Sequence, residues 1–377
     1  IVVDNEKITN PAQIAEHFNQ YFCNVGKNLA SKIPDYPEKV QDFLKNPSPT
    51  QSMYLAPTDH NELRQEILKL NSKKSAGPDE ISPKLIKSTV DQIVQPLTSI
   101  FNESFDRSVY PEHFKLAKVI PLFKKADKTL PSNYRPISLL SCFGKLLEKL
   151  MHKRLYAFLT KHNLLYKYQF GFQQNLSTSL AILEITDNIR EKLDKGHHVL
   201  GIYIDLAKAF DTVNHDILLT KLNHHGIRGK TLDWFKSYLY ERKQYVCINN
   251  SKSDTLATTC GVPQGSVLGP LLFLIYVNDI YCCIQKEDCI RLFADDTNIF
   301  ISNKNLRNLK TEGEQILTKL HRWFSINKLT MNIDKSCFSI FTTKQKNPEI
   351  FQQLVFGSNT IKKYNQQNTW VSFWMTS

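Results

Sequence analysis

Apolar side chains near the start of the chain recur every three or four residues. Asn10 and Pro11 are typical of a helix start. The apolar positions that follow fall on one helical face: Ile14, Phe18, Phe22, Val25 and Leu29. Residues 33–57 then carry five prolines and no periodicity, which indicates a linker. We therefore predict an N-terminal helix and linker over residues 1–57.

The following segment is mainly helical in pattern. Three apolar positions predict a second helix: Leu63, Ile67 and Leu70. That helix should end in the basic, turn-forming residues 71–79, and residues 81–105 are again mostly helical in pattern. Residues 119–123 predict a short strand, followed by a turn-rich stretch that reaches residues 133–139.

A long amphipathic helix is predicted next, from Leu139 to Leu159. Its apolar positions are Leu139, Phe143, Leu146, Leu147, Leu150, Leu155, Phe158 and Leu159. Its other side is basic, with Lys145, Lys149, Lys153 and Arg154. We interpret the basic side as a solvated face.

Two strands in the second half of the chain run into carboxylates. Residues 199–204 are an apolar strand that ends at Asp205. Residues 291–294 and 297–301 predict a β-hairpin with Asp295 and Asp296 at its turn. Carboxylates at strand ends are well placed for chemistry, although an Asp-Asp pair is also ordinary in a turn.

Three carboxylates brought together would repel one another and raise at least one pKa, unless cations lie between them. Hard oxygen ligands suit Mg²⁺, and two ions about 3.5–4 Å apart can support an in-line phosphoryl displacement. The strand-end acids therefore predict a divalent-metal site.

The charge balance favours a polyanionic partner. Lys and Arg outnumber Asp and Glu by 48 to 36, a net charge of +12, which suits phosphate neutralisation. No apolar run approaches the ~18 residues of a membrane span, so we expect no membrane association. Residues 1–7 lack an initiator Met and a signal-peptide plan, and we interpret the chain as a fragment of a longer protein.

The eight cysteines lack paired C-x-x-C spacing and lie mostly in apolar runs. We interpret them as buried free thiols in a reducing compartment. A zinc site at Cys282, Cys283 and Cys289 is the alternative, but adjacent cysteines on a strand point to opposite faces.

Four segments around the strand-end acids resemble the palm motifs of reverse transcriptases, in order and rough spacing. They are residues 204–211 (IDLAKAFD), 261–270 (GVPQGSVLGP), 293–296 (FADD) and 332–336 (NIDKS). Upstream, residues 75–79 (SAGPD) with 81–82, and residues 133–139 (NYRPISL), resemble fingers motifs of the non-LTR, LINE-type branch, of which jockey is an example. The resemblance spans roughly residues 60–342, and each motif alone is weakly specific.

The resemblance implies an RNA-directed DNA polymerase of a non-LTR retrotransposon. It further implies that Asp205 and Asp295 bridge two Mg²⁺ ions, with Asp296 as the third acid and the Leu206 carbonyl as a backbone ligand; Mn²⁺ is a potential substitute. Lys335 matches a lysine proposed to protonate the leaving pyrophosphate. A solvated lysine at a strand end is the alternative for that residue.

The resemblance also implies a set of nucleotide-binding residues. Phe210 would clash with a ribose 2′-OH and so select dNTPs, or else is ordinary core packing. Gln264 and Gly265 would contact the template and the incoming nucleotide. Arg135, and more weakly Lys124, match residues that hold the triphosphate, a task suited to a guanidinium. A surface salt bridge is the alternative for Lys124.

The implied fold is α+β, a right-hand polymerase whose antiparallel palm sheet is backed by helices. We predict fingers over residues 58–198, a palm over 199–345, and a truncated or aberrant tail over 346–377. After Phe341 the family has a primer-gripping hairpin and a helical thumb, and we expect neither here. A frameshift or a truncated gene would give such a tail, and comparison of the genomic reading frames tests this.

The expected partners are an RNA template, a DNA primer or target, and dNTPs, and the sequence leaves the oligomeric state open. The family's way of life implies a nuclear location, with a cytoplasmic ribonucleoprotein stage as a second one. Two rival functions remain: a degenerate remnant that binds RNA, and another two-metal phosphoryl-transfer enzyme such as a nuclease, which has no use for Gln264 or Phe210.

Overall fold

The computed structural model describes residues 1–3, 6–34, 36–45, 48–284, 289–343 and 351–364. The helices are α1 (Pro11–Ala30), α2 (His60–Leu68), α3 (Pro83–Ser88), α4 (Val90–Arg107), α5 (Cys142–Lys161), α6 (Thr178–Asp194), α7 (His215–His224), α8 (Lys230–Leu239), α9 (Gly269–Val277) and α10 (Leu306–Ile326). The strands are β1 (Val2–Val3), β2 (Glu6–Lys7), β3 (Leu116–Phe123), β4 (Tyr134–Leu139), β5 (His198–Ile204), β6 (Arg242–Ile248), β7 (Ser251–Lys252), β8 (Leu256–Thr258), β9 (Ile290–Phe293), β10 (Asp296–Asn303), β11 (Cys337–Phe341), β12 (Gln353–Phe356) and β13 (Asn359–Lys363).

The chain forms two compact units, each assembled from separated segments. Unit 1 comprises Ile1–Lys32, Asn46–Leu164 and Phe210–Tyr276. Unit 2 comprises Ile33–Lys45, Leu165–Ala209 and Val277–Ser377. These units cut across the ranges predicted from the sequence, because the chain leaves unit 1 after Leu164 and returns to it at Phe210.

Unit 1 contains a sheet in the order β4-β3-β6-β7, with β8 paired to β6. Strands β3 and β4 are antiparallel, whereas β3 and β6 are parallel. Helix α1 packs on this sheet, with Phe18 and Phe22 in one cluster with Ala117, Val119 and Val246. The predicted N-terminal helix is therefore confirmed, and it is part of unit 1.

The basic side of helix α5 is only partly a solvated face. Arg154 is 12% exposed and donates to Glu62 at 2.8 Å, and Lys153 donates to the same carboxylate at 3.0 Å. Lys149 Nζ lies 3.6 Å from Glu66 Oε2. Our interpretation was wrong for Arg154, because α2 presents an acidic face that pairs with this side of α5.

Other predicted elements of unit 1 are confirmed with shifted ends. The helical pattern over residues 81–105 corresponds to α3 and α4. The long helix begins at Cys142, not at Leu139, because Leu139 is the last residue of strand β4. Strand β4 follows the stretch that we predicted as turn-rich, and we did not predict it because Pro136 in its interior is unusual in a strand.

Unit 2 contains a sheet in the order β12-β13-β11-β5-β10-β9. Central strand β5 is buried along its length because helices cover both faces. Val199 packs in a cluster with residues of α6, and Leu200, which points to the opposite face, packs beside Gly313 of α10. The predicted strand over residues 199–204 is therefore confirmed, and it reads as an uninterrupted apolar run for this reason.

A hairpin follows Phe341, in the segment that we predicted as a truncated or aberrant tail. Strands β12 and β13 pair antiparallel around Gly357, which has φ +57°, and β13 pairs parallel with β11. Leu354, Phe356 and Ile361 are buried. The alternation of buried and exposed residues in β12 is only four residues long, too short to stand out in the sequence. Part of the predicted tail, residues 346–350 and 365–377, lies outside the described residues.

Candidate active site

The strand-end acids of unit 2 lie at one end of its sheet. Strands β5 and β10 are antiparallel, with Thr297 opposite Ile204. Continuing that register by one residue puts Asp296 opposite Asp205, on strands about 4.8 Å apart. Asp295 immediately precedes Asp296 in the hairpin turn. The sheet register therefore predicts that all three acids lie at the same end of the sheet.

The β9–β10 hairpin has a two-residue turn, as predicted. Asp296 pairs with Phe293, which leaves Ala294 and Asp295 as the loop. Ala294 has φ +57°, and Asp295 does not share this positive φ. A positive φ at the first loop residue alone is the II′ pattern, which normally favours Gly there. The turn therefore holds an alanine in a strained conformation directly before the acids.

Asp205 is held through its backbone by the segment that precedes β11. Its carbonyl oxygen accepts from Asn332 N at 2.8 Å, and its N–H donates to Ser336 Oγ at 3.2 Å. Leu206 and Met331 form an antiparallel bridge. The predicted motif over residues 332–336 thus fixes Asp205, and Ser336 is a positioning residue that sequence reasoning missed.

One carboxylate oxygen of Asp205 lacks a hydrogen-bond donor among the described residues. Asp205 Oδ2 is buried and accepts no hydrogen bond within the described part of the chain. Lys335 Nζ lies 3.7 Å away, as a loose ion pair, and its side chain is 53% exposed. A hard cation would satisfy this oxygen, so the donor set at Asp205 fits a divalent metal.

The acids do not form a complete metal cage by themselves. Among the residues described, no group of three or more His, Cys, Asp or Glu side chains is arranged to hold a metal ion. The predicted alternative of a zinc site is unsupported for the same reason, and the cysteines are free thiols. Burial raises the pKa of the Cys23 thiol to about 11, which agrees with an unreactive buried cysteine.

In unit 1, the loop over residues 261–265 is tied to strand β4. Ser138 N donates to the carbonyl of Gln264 at 2.8 Å, and Gln264 Nε2 donates to Asp211 Oδ1 at 2.8 Å. Gly265 has φ +122°, and a Cβ there would lie 2.6 Å from Ser138 O. Only glycine fits this position. Asp211, which orients Gln264, had no role in our sequence prediction.

The other end of the same loop is fixed to the turn after β5. Gly261 N donates to Val213 O at 2.8 Å, and Val262 N donates to Phe210 O at 2.9 Å. His215 Nε2 donates to Gly261 O at 2.8 Å. Burial lowers the pKa of His215, which keeps the ring neutral. The loop is therefore held rigid by backbone bonds at both ends.

Phe210 lies against helix α9 rather than deep in the core. Its ring stacks on Phe273, with centroids 4.6 Å apart and planes at 25°. Phe273 is fully buried, whereas Phe210 is only half-buried. One face of the Phe210 ring is therefore fixed by packing, a suitable arrangement for a steric filter.

A buried carboxylate anchors the chain just after this loop. Glu148 of α5 is fully buried, and its Oε2 accepts from Val267 N at 2.6 Å and from Leu268 N at 3.1 Å. Burial raises the pKa of Glu148, although Arg242 and the two amides oppose this. Sequence reasoning missed Glu148 because it lies among the apolar residues of α5. Helix α9 begins at Gly269, whose N–H donates to Ser266 Oγ at 3.0 Å.

The predicted triphosphate residues lie on the β3–β4 hairpin of unit 1. Arg135 pairs with Leu122 in the β3–β4 ladder, so Arg135 and Lys124 project from the same face. Arg135 is exposed, and within the described residues it forms no ion pair. Lys124 N donates to Asn133 O at 2.9 Å. A free guanidinium of this kind is available to an anionic ligand.

The protein is mixed α/β, with the predicted acids at strand ends in unit 2 and a glycine-bounded loop in unit 1. The family model of reverse transcriptase (RNA-dependent DNA polymerase) matches residues 123–368, more than half of the chain. The chain belongs to this family.

Curated relatives agree with the motif-based prediction of a LINE-type, jockey-like element, which is confirmed. The chain is 30% identical over 324 residues to the probable RNA-directed DNA polymerase from transposon BS of Drosophila melanogaster, covering 82% of this chain and 35% of that protein. It is 29% identical over 313 residues to the RNA-directed DNA polymerase from mobile element jockey of the same organism, covering 81% and 34%. The chain thus spans about a third of the length of these relatives. No described helix is long and apolar enough to cross a membrane.

Proposed function

We propose that this chain is the polymerase part of a non-LTR retrotransposon, which extends a DNA 3′-OH on an RNA template. The observation that carries the proposal is the β5–β10 register, which ends with Ile204 opposite Thr297. Asp205 directly follows this pair on one strand, and Asp295 and Asp296 directly precede it on the other. Unit 2 would serve as the palm and unit 1 would contribute the fingers. Family membership supports the reaction class, and the rigid Gln264 loop favours a polymerase over a nuclease.

Asp205, Asp295, Asp296 and the Leu206 carbonyl would hold two Mg²⁺ ions. When bound, these ions supply activation of the attacking hydroxyl and stabilisation of the leaving oxygen. The buried Asp205 Oδ2, which accepts no hydrogen bond within the described residues, supports this role. Lys335 would leave its loose contact with Asp205 and give the proton on its Nζ to the leaving pyrophosphate.

The residues of unit 1 would bind and select the nucleotide. Arg135 and Lys124 would hold the triphosphate oxygens through charge-assisted hydrogen bonds. The Phe210 ring, fixed on Phe273, would exclude a ribose 2′-OH. Gln264 and Gly265 would contact the template and the incoming base.

Primer extension tests the proposal. The chain is given an oligo(dT) primer on poly(rA) with dTTP and Mg²⁺, beside Asp295→Asn. The matched control is Asp187→Asn, which removes an exposed acid on helix α6 of the same unit. We expect extension by the chain and the control, and a loss of about 1000-fold or more in Asp295→Asn.

The alternatives predict different outcomes. Extension that survives in Asp295→Asn would contradict the assigned acid. RNA binding without extension would favour a remnant that only binds RNA. Cleavage of the template without extension would favour a nuclease.

A further inference from the structure

A short segment of unit 2 lies along the catalytic hairpin, outside every motif that the sequence analysis used. Phe170 N donates to Leu292 O at 2.8 Å, and Leu292 N donates to Tyr168 O at 3.0 Å. Gln169 thereby forms a parallel bridge with Leu292 of β9. The segment follows β9 as far as its end, where the turn with the acids begins.

The Gln169 side chain reaches the turn itself. It is 2% exposed, and its Oε1 accepts from Ala294 N at 3.1 Å and from Gly171 N at 2.9 Å. Its Nε2 donates to no acceptor within the described residues. The contribution of Gln169 is therefore that of a buried acceptor for two backbone amides, one of which belongs to the hairpin turn.

The position of this segment is tightly constrained. Phe170 is buried in the cluster beneath helix α6, together with Ala181 and Ile185. A Cβ on Gly171 would collide with the backbone nitrogen of Ala294 and lie 3.0 Å from the carbonyl carbon of Phe293. The segment is thus anchored on one side and in backbone contact with the turn on the other.

The turn needs such support for a physical reason. Ala294 has φ +57°, a strained value for a residue with a side chain. An amide that lost its acceptor in this buried setting would be unsatisfied, which favours conformations that expose it to water. Asp295 is the next residue, so any rearrangement of Ala294 would move its carboxylate.

We propose that Gln169 is a positioning residue for the catalytic hairpin. It accepts the Ala294 amide and holds the strained turn that sets the direction of Asp295. The kinetic part of this inference rests on the proposed polymerase function, whereas the structural part does not.

Three substitutions separate the hydrogen bond from simple packing. Gln169→Met keeps the length of the side chain and removes the acceptor. Gln169→Glu keeps the acceptor oxygen and replaces Nε2 by a second oxygen, which makes the group ionisable. The control, Gln173→Met, changes a nearby glutamine whose Nε2 donates to the Gln169 carbonyl at 2.7 Å rather than to the hairpin turn.

Two measurements are made on the full chain: amide hydrogen exchange of a peptide covering residues 291–297, and steady-state primer extension with dTTP. For Gln169→Met we expect about 10-fold faster exchange at the turn and a kcat about 10-fold lower, with little change in the KM for dTTP. Gln169→Glu should return the exchange rate at the turn and the kcat most of the way to the values of the original chain. Gln173→Met should resemble the original chain in both. Thermal unfolding identifies any variant that does not fold.

Unchanged exchange in Gln169→Met would overturn the proposal, as would an equal effect of Gln173→Met. The proposal would also be contradicted if the KM rose and the kcat fell equally in all three variants, because such a result would indicate that the whole segment had lost its packing. If Gln169→Met does not fold, Gln169→Asn, which withdraws the amide by one carbon, must show the faster exchange. If the original chain does not extend primers, the proposed function fails, but hydrogen exchange still decides the role of Gln169.

Discussion

Glu62 joins helix α2 to helix α5, and its replacement by Gln tests how much this ion cluster stabilises unit 1. Its carboxylate accepts from Arg154 Nη2 at 2.8 Å, from Lys153 Nζ at 3.0 Å and from Thr58 Oγ1 at 2.8 Å. Burial raises the pKa of Glu62, but these hydrogen bonds outweigh burial and lower the pKa to about 2.

The contribution of Glu62 to the unfolding free energy follows from this pKa. The ordinary value is 4.5, and each pKa unit corresponds to about 1.4 kcal/mol, which gives roughly 3 kcal/mol at neutral pH. Lys153 is 64% exposed, so solvent screens its interaction with Glu62. This screening reduces the expected contribution of Glu62 to the unfolding free energy to about 2 kcal/mol. Because the folded-state pKa is lowered, this stability is fully present above about pH 4.5. It is lost as the pH falls toward 2.

Urea unfolding of the original chain and of Glu62→Gln, repeated between pH 7 and pH 2.5, measures this contribution. We expect the difference in unfolding free energy to be about 2 kcal/mol at pH 7 and to shrink as the pH falls below about 4.5. The control is Glu103→Gln, which breaks an exposed pair with Arg107 and should change stability by less than about 0.5 kcal/mol. A difference that stays constant with pH would refute the reasoning, because it would indicate lost packing rather than lost charge.

Three further predictions concern unit 1. Glu148→Ala should lower the unfolding free energy by about 3 kcal/mol, since it leaves two amides without an acceptor; Glu148→Gln, measured in the same urea titration, should recover most of it. Gly265→Ala should lower the unfolding free energy by about 2 kcal/mol and the melting temperature by several degrees, because φ +122° and Ser138 O exclude a Cβ. An unchanged melting curve would show that the loop is not rigid. Phe210→Val should raise incorporation of rTTP relative to dTTP by about 10- to 100-fold, and an unchanged ratio would assign Phe210 to packing alone.

The sequence predicted the parts of the fold that carry a strong local signal. Strand β5 and the β9–β10 hairpin stand out because their apolar runs end abruptly at acids. The helical stripes of α1 and α5 were equally clear. Strand β4 was missed because Pro136 weakens its local signal, and only its pairing with β3 makes it a strand.

Features that depend on long-range contact were not predictable in this way. The two units interleave along the chain, and no local pattern marks the residue where a chain changes its packing partner. The β12–β13 hairpin was missed because each strand has only four or five residues. Arg154 looked like a solvated cation until Glu62, 92 residues away, was seen to face it.

The same distinction separates the predicted acids from the residues that hold them. A motif such as FADD, taken together with its neighbouring motifs, predicts which residues react. It does not identify Gln169, whose role arises only because residues 168–171 pack beside β9 and offer an acceptor to Ala294. Ser336 and Glu148 are the same kind of residue: each is a buried polar side chain whose partner is a backbone amide far away in sequence. Short motifs therefore predict the chemistry of this site, whereas two buried acceptors outside those motifs, Gln169 and Glu148, hold the motif backbone in place. Substitutions at these two residues should impair function while leaving every motif intact.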